Sequence, residues 1–573
     1  MTVARGRNLY LLVALLLGAC AAPTSPARPA GGVTEAPSSS APPQTLVFIS
    51  RNEVDNMAAL SGVGTGTGTL RRFFNATLTA FDDRGLPQPF LAEALPQLNT
   101  ESWKVQPDGR METTYRLRPN LTWHDGVALT ADDFVFAYRV YMNPDLQKGS
   151  PKNPPQSLIE QLRATDDRTL VIDWSRSFAD AGVLGEEFRP LPRHILEPVL
   201  QQADPSAFDN NSYWTTAFVG LGPFRVDRWD PGAVIEGVAF DGYVFGRPKL
   251  DRVRVLFNSD PNAVVANLLA GSAHLVADTT LRFQSAVVLK REWEARGGGG
   301  TVYFTPFQVR YAQIQQRPDL ANPRAVLDVR ARRALAFATD RQGLVDGLFE
   351  GQGIVADTLV PRNADHYAAV DQAIAKYPYD PRRAEQLLNE LGFTRGADGF
   401  FASPTDGQFT PEWRATGGGD SETQLAILVD GLRRAGIDAR SYIFPQIQDD
   451  DREARASFPG LSNTSTTGVP ERWYRGQTTS EIPSAANFWN GTNRGGWSND
   501  AYSQIYRTFS STLDRSELNR QVVEMTRVLS EQVGVIPLYY NLDVAAQSAS
   551  LQAPRLVAPD ASIGWNIQEW QLR

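Results

Sequence analysis

A chain of 573 residues exceeds what one ordinary hydrophobic core holds, so two or three domains are expected. Hydrophobic residues at 42% and charged residues at 21% exclude a disordered or membrane-embedded protein. A formal charge of −8 argues against a nucleic-acid binder, which carries a basic patch and a high pI.

The N-terminus reads as an export signal. Arg5 and Arg7 make a positive start, residues 9–17 are apolar, and Leu17-Gly18-Ala19-Cys20 follows. The apolar run is too short to cross a hydrocarbon core of about 30 Å. Leu-Gly-Ala-Cys resembles the bacterial lipobox, which implies that residues 1–19 are a lipoprotein signal peptide and that Cys20 carries the lipid. An ordinary export signal with an incidental cysteine is the alternative. Cys20 is also the one cysteine of the chain, so neither an intramolecular disulfide nor a cysteine-based zinc site can form. Residues 20–44 are rich in Pro, Ala, Ser and Gly and cannot bury enough surface to offset their ordering entropy, so a flexible tether is expected.

Order begins at TLVFIS, residues 45–50. The following GVGTGTGTL alternates glycines but lacks the Gly-Lys-Ser/Thr ending of a phosphate loop, so a packed or flexible loop is expected. The stretch TWHDGVALTADDFVFAYRVY, 122–141, sets His124 beside Asp125 and Asp132 beside Asp133. Those types could serve an acid, base or metal site. Every one of them also fits a helix start: Thr130 with Asp133 makes a capping box, acids in the first turn complement the dipole, and Phe134, Ala137, Tyr138 and Tyr141 form a buried stripe. The structural account is preferred. Short β-rich runs, FRVDRW, AVIEGVAF and DRVRVLF, lie between 213 and 260. In 328–351 two helices are expected, with Ala331, Ala334, Leu335 and Ala338 on one stripe and a restart near Asp340 carrying Leu344, Val345 and Leu348. In DPRRAEQLLNELGF, Asp380 caps, Pro381 opens, Ala384, Leu387, Leu388 and Leu391 are buried, and Gly392 with Phe393 ends the helix in a Schellman-type turn. Leu518, Val522, Met525 and Leu529 repeat the pattern before the strand VIPLYY. Strands and helices are mixed throughout without a repeat period, which reads as an α/β or α+β fold.

TYRLRPNLTWHDGVALTADDFVFAYRVYMNP resembles the signature of the bacterial extracellular solute-binding proteins of family 5, the oligopeptide-, dipeptide- and nickel-binding components of ABC importers. LPRHIL, VGLGPFRVDRW with FGRPKLDRV, DVRARRALAFATDRQGLVDGLFEGQG, YPYDPRRAEQLLNELGF and WSNDAYSQIY with GVIPLYYN follow in family order. The likeness covers nearly all of 45–573. It implies a bilobal α/β receptor of the periplasmic-binding-protein type (type II, cluster C-like). Lobe I would comprise 45–80, 213–300 and 537–573, with an extra subdomain, 81–212, inserted in it; lobe II would be 301–536. Two crossings, near TVYFTPF and near VIPLYY, would form the hinge. A lipid on Cys20 would hold such a monomeric receptor at the outer face of the cytoplasmic membrane or in the periplasm, beside its permease and ATPase.

Peptide-binding relatives carry a Trp-x-x-Asp-Tyr-like segment in lobe II whose Asp pairs with the peptide amine. Here 457–499 contains no such Asp. Either Glu471 or Glu481 substitutes for it or the ligand lacks a free amine, and Glu471-Arg472-Trp473-Tyr474-Arg475 suits a pocket wall, aromatic faces covering apolar groups and arginine forking a carboxylate. Glu53 and Trp489 are further ligand-binding candidates, and an ordinary surface loop is the competing account of this segment. No Gly-x-Ser-x-Gly elbow or His-Glu-x-x-His helix marks a hydrolase, and His124, His194, His274 and His366 are scattered. No catalytic residue, metal site or cofactor is expected. An exported hydrolase with a dispersed triad, or a sensor or adhesin on the same fold, are the rival functions.

Overall fold

The computed structural model describes residues 43–60, 67–149, 154–466, 470–553 and 563–573. Cys20, the signal segment and the tether up to residue 42 lie outside the described residues. Among the described residues no helix is long and apolar enough to cross a membrane.

One strand pair organises the molecule. Gly300–Ile314 and Val535–Ser548 run antiparallel for nearly their whole length, from Gly300 opposite Ser548 to Gln313 opposite Val535. At one end Leu275 and Val276 add to the second strand, followed by the parallel Thr45–Ser50 and Arg252–Phe257 and then the hairpin Val234–Ala239 with Phe224–Asp230. At the other end Leu461–Ser465 adds to the first strand, followed by the parallel Glu412–Thr416 and Arg440–Phe444. With Ile354–Val355 beside Tyr539 and Tyr540 as the eleventh strand, a single sheet among the described residues belongs to two lobes joined by a two-stranded ribbon. The register shifts between Pro306 and Val309 and again between Arg310 and Tyr311, opposite Pro537. Bulges are where a ribbon bends, and Pro537 has no amide hydrogen to give to a regular ladder.

Each lobe has its own core. Leu46, Phe48, Phe73, Val253 and Trp570 belong to one, while Ala334, Leu335, Leu344, Leu388 and Trp413 belong to the other. Along the second ribbon strand, Ile536 to Tyr539 pack into lobe II and Ala545 into lobe I, so VIPLYY lies on the lobe II side of the bend. A separate four-stranded antiparallel sheet, Trp103–Val105, Met111–Arg116, Thr169–Trp174 and Ile159–Asp166, carries the subdomain core with Tyr115, Trp123 and Trp174. The helix Ala131–Met142 stitches that core to lobe I: Phe134 packs into the subdomain, whereas Phe136, Ala137, Val140 and Tyr141 pack into lobe I. The single expected stripe is thus widened, because a helix between two cores buries two faces.

Most local signals are realised. Asp380 accepts from Arg383 N at 3.0 Å, Gly392 takes φ +84°, and Phe393 N reaches Leu388 O at 3.0 Å with the Phe393 ring buried. Asp340 separates Val329–Ala338 from Arg341–Phe349 by capping Gly343 N at 2.8 Å.

Candidate solute-binding cleft

The opening His-Asp stretch is structural. Asp133 reaches back to Thr130 N at 2.9 Å and also accepts from Arg193 N at 2.9 Å. His124 Nδ1 accepts from Gly220 N at 3.1 Å while Nε2 lies 3.0 Å from Gly222 O. With both ring nitrogens on backbone and the side chain 5% exposed, burial pushes the imidazole down to about 4 and keeps it neutral. Asp125 instead pairs with His194 at 2.7 Å on the surface of this turn.

The concave face lies where the two lobes meet at the ribbon. In both lobes parallel strands end there, and in open α/β sheets ligands bind outside the carboxyl ends of such strands. In lobe I, Arg51 N donates to Thr280 Oγ1 at 3.2 Å, and Thr279 N donates to the carboxylate of Asp543 at the bend of the ribbon. In lobe II the strand Glu412–Thr416 runs into Gly417, Gly418 and Gly419, and a Cβ on Gly419 would come within 3.1 Å of the Arg282 guanidinium of lobe I. Further contacts join the lobes on either side of this point. Arg291 pairs with Glu350 at 2.7 Å, and Arg176 Nη1 donates to Ser510 O at 2.8 Å.

Charge is concentrated on the lobe I wall. Asp278, at φ +55°, accepts from Thr69 N and Thr69 Oγ1, both at 2.8 Å. Its surroundings shut out water on most sides, and this desolvation, with nearby Asp543, pushes its carboxyl up to about 7. Desolvation likewise raises Asp543. Arg71 sits beside Asp278 and Glu186; burial first, and then Arg189, lower its guanidinium to about 10. Glu186 is bridged to Arg72 at 3.0 Å and bonded by Arg189. Desolvation opposes its ionisation, but Arg189, Arg72 and Arg71 together hold its carboxyl far below the usual range. Its side chain still keeps 36% exposure, so this charged wall reaches solvent and is not sealed in the interior.

The lobe II wall is a hydrogen-bonded chain. Trp413 Nε1 donates to Asn463 Oδ1 at 2.7 Å, Asn463 Nδ2 to Gln424 Oε1 at 2.6 Å, and Gln424 to the Tyr539 hydroxyl. Arg310, on the ribbon, is the other side chain bonded to that hydroxyl.

The sequence candidates are placed unevenly. Trp473 and Tyr474 stand on the short helix Pro470–Arg475 and are 7% and 4% exposed, Tyr474 within a lobe II core with Tyr502 and Phe509. The side chains of Glu471 and Arg472 lie outside the described residues. Arg475 bridges Glu481 at 3.2 Å. Trp489, at φ +57°, lies under the Arg317 guanidinium at 5.9 Å, and Arg317 also bonds Pro483 O and Arg494 O, pinning the loop. Glu53 spends both oxygens on lobe I, one on Trp229 Nε1 at 2.6 Å and one on Gly232 N at 2.7 Å. The reading of the sequence missed Arg71, Asp278, Arg310 and Asp543. Nothing in their local spacing distinguishes them, because two separate chain segments and the two strands of the ribbon bring them together. A separate cavity inside lobe II, lined by Arg341, Asp357, Tyr377 and Ser530, lies behind the ribbon, and the Arg341 guanidinium there is fully engaged by Asp357 and the carbonyls of Ala356 and Tyr377.

The family model described as bacterial extracellular solute-binding proteins, family 5 Middle, matches residues 93–470. The chain belongs to this family. As a family 5 protein it is a solute-binding protein and not an enzyme. Over 99% of its length it is 23% identical to the oligopeptide-binding protein AppA of Bacillus subtilis, 98% of which is covered. The crystal structure of an oligopeptide-binding protein from Thermus thermophilus complexed with a pentapeptide superposes with a TM-score of 0.71 at 20% identity, covering 92% of this chain and 96% of that one. The periplasmic EDTA-binding protein EppA gives a TM-score of 0.75 at 15% identity, with 93% and 97% covered. These likenesses place the family 5 chain in the bilobal, type II periplasmic-binding fold.

Proposed function

We propose that this chain is the receptor of an ABC importer, which encloses a peptide or a similar small solute between its lobes and delivers it to a membrane permease with its ATPase. The reading rests on one observation above all: the likeness to an oligopeptide-binding protein runs the whole length of both chains. The ribbon with its shifted register at Pro306 and Arg310 supports a hinge there, and closure about it would bring the Gly417 to Asp420 loop onto the lobe I wall. Residues 45–80, 213–300 and the C-terminal tail form lobe I, 81–212 its inserted subdomain, and 301–536, extended to the bend, lobe II. Glu471, Arg472 and Trp489 line the lobe II side in this proposal, with Trp473 and Tyr474 backing them. Glu53 serves by holding the lobe I rim.

The receptor is monomeric and held at the outer face of the cytoplasmic membrane, or in the periplasm, by a lipid on Cys20. Cys20→Ser should give protein that leaves the detergent phase; a variant partitioning like wild type refutes the anchor. For the binding function, thermal unfolding is followed with peptides of two to nine residues. A ligand at a hundred times its Kd stabilises by about 2.7 kcal/mol, so a saturable rise in midpoint is expected with some members of the series. A midpoint unmoved by every peptide contradicts peptide binding.

A further inference from the structure

We infer that the solute held in this cleft is anionic, its carboxylate groups taken by Arg71 on the lobe I wall and Arg310 on the ribbon. The inference rests on the solute-binding reading and adds the ligand's charge and the residues that select it.

Two arginines in the region of the cleft are left incomplete. Arg71 and Arg310 each bury a guanidinium Nε that has no hydrogen-bond partner; so do Arg333 and Arg475, but Arg333 donates to Glu531 O and Arg475 pairs with Glu481. Among the described residues neither Arg71 nor Arg310 forms a salt bridge within 4.0 Å, although 36 such bridges occur elsewhere. Buried polar atoms are almost always satisfied, so an orphaned guanidinium nitrogen requires an explanation. A missing ligand is one that fits both.

The surroundings favour an anion. Arg71 shares its wall with Arg72 and Arg189, and the one carboxylate held firmly ionised there, Glu186, is already committed to those two neighbours. Asp278, also beside Arg71, gives both oxygens to Thr69 and is partly protonated at neutral pH. Arg71, Arg72 and Arg189 share this wall with Glu186, Asp278 and the more distant Glu187 and Asp543, and of the three guanidiniums Arg71 alone makes no salt bridge among the described residues, so a carboxylate arriving there would complete it. On the other side Arg310 reaches the Tyr539 phenol, which is bonded to the neutral amides of Gln424 and Asn463; Asp420 is the carboxylate near that hydroxyl, and it makes no salt bridge with Arg310. Arg282 of lobe I stands exposed beside Gly419 of lobe II. Guanidinium forks carboxylate through paired N–H donors, and Arg71 and Arg310 have donors to spare.

The two guanidiniums sit on different bodies. Arg71 belongs to lobe I through the helix Gly68–Phe74, and Arg310 to the lobe II half of the ribbon beyond the first register shift. A solute with acidic groups at both ends would bridge them, and its binding would then favour the closed arrangement over the open one.

The test is calorimetric titration of the full chain with three probes: triglutamate, amidated triglutamine, and citrate. Wild type, Arg71→Gln, Arg71→Lys and Arg310→Gln are compared, with the thermal midpoint of each as a control for folding. Triglutamate, citrate or both should bind, and amidated triglutamine should bind at least tenfold more weakly. Arg71→Gln and Arg310→Gln should each weaken the acidic probe at least tenfold, while Arg71→Lys keeps the fold and charge and recovers part of the loss. Citrate binding without triglutamate supports the anionic cleft and removes the peptide. Amidated triglutamine binding as tightly as triglutamate keeps the peptide and overturns the anionic cleft. Arginine variants that bind the acidic probe like wild type, or a wild type that binds neither acid, also overturn it.

Discussion

His124 is the residue on which a catalytic and a structural account of the opening stretch part most sharply. In the fold its two nitrogens are consumed by Gly220 N and Gly222 O, and burial lowers it from 6.5 to about 4. In the unfolded chain it titrates at its ordinary value. Between pH 6.5 and 4 the unfolded state therefore binds a proton that the folded state refuses, and stability falls as the pH drops through that window. Each pH unit is worth about 1.4 kcal/mol, so the full loss is about 3 kcal/mol, complete near pH 4 and absent above pH 7. Other carboxylates titrate in the same range, so the measurement is a difference. Urea unfolding of wild type and His124→Gln is followed from pH 7.5 to 4. Glutamine carries no titrating proton, so the variant is less stable at neutral pH but should lose about 3 kcal/mol less on acidification. Parallel stability curves for the two proteins refute the buried neutral imidazole and reopen a chemical role for the stretch.

Asp278 should behave with the opposite sign. Its folded value of about 7 lies above the ordinary 3.8, so its favourable contribution is complete below 3.8 and is lost as pH rises through 7. Asp278→Asn should gain stability relative to wild type between pH 4 and 8, read as a widening difference in thermal midpoint; a constant difference contradicts the raised carboxyl. Arg317→Ala removes the donor to Pro483 O and Arg494 O and should cost about 3 kcal/mol, with hydrogen exchange accelerated in 483–497 and not in lobe I. Unchanged exchange in that loop shows that Arg317 does not pin it. Trp473→Ala empties a buried site and should cost about 3–5 kcal/mol in urea unfolding, whereas Trp473→Phe keeps most of the volume and is the variant to use for binding. A near-neutral alanine variant contradicts the burial.

The sequence carried the local grammar of this fold and the order of its parts. Asp340, Asp380, Gly392 and the Thr130 to Asp133 box act through neighbours three or four residues away, so their chemistry is visible in a short window. The two-core burial of Ala131–Met142 was not, since Phe136 and Val140 are defined by a lobe that begins outside the window. VIPLYY reads in the sequence as one β-rich strand, and the change of core along it, beyond Tyr540, depends on neighbours distant in the chain. The charged wall was illegible for the same reason. Arg71, Glu186, Asp278 and Asp543 are separated by about a hundred residues or more and meet only through long-range packing. The segment 471–475, conspicuous in composition, turned out to bury its aromatics.

Native mass spectrometry of gently purified protein tests the central claim most directly. The account predicts a folded species heavier than the bare chain by one small non-covalent solute, which is lost on denaturation and, once released, identifies the cargo. A folded chain that carries no solute from cells grown in rich medium, and that takes up none from a peptide digest of that medium, contradicts it.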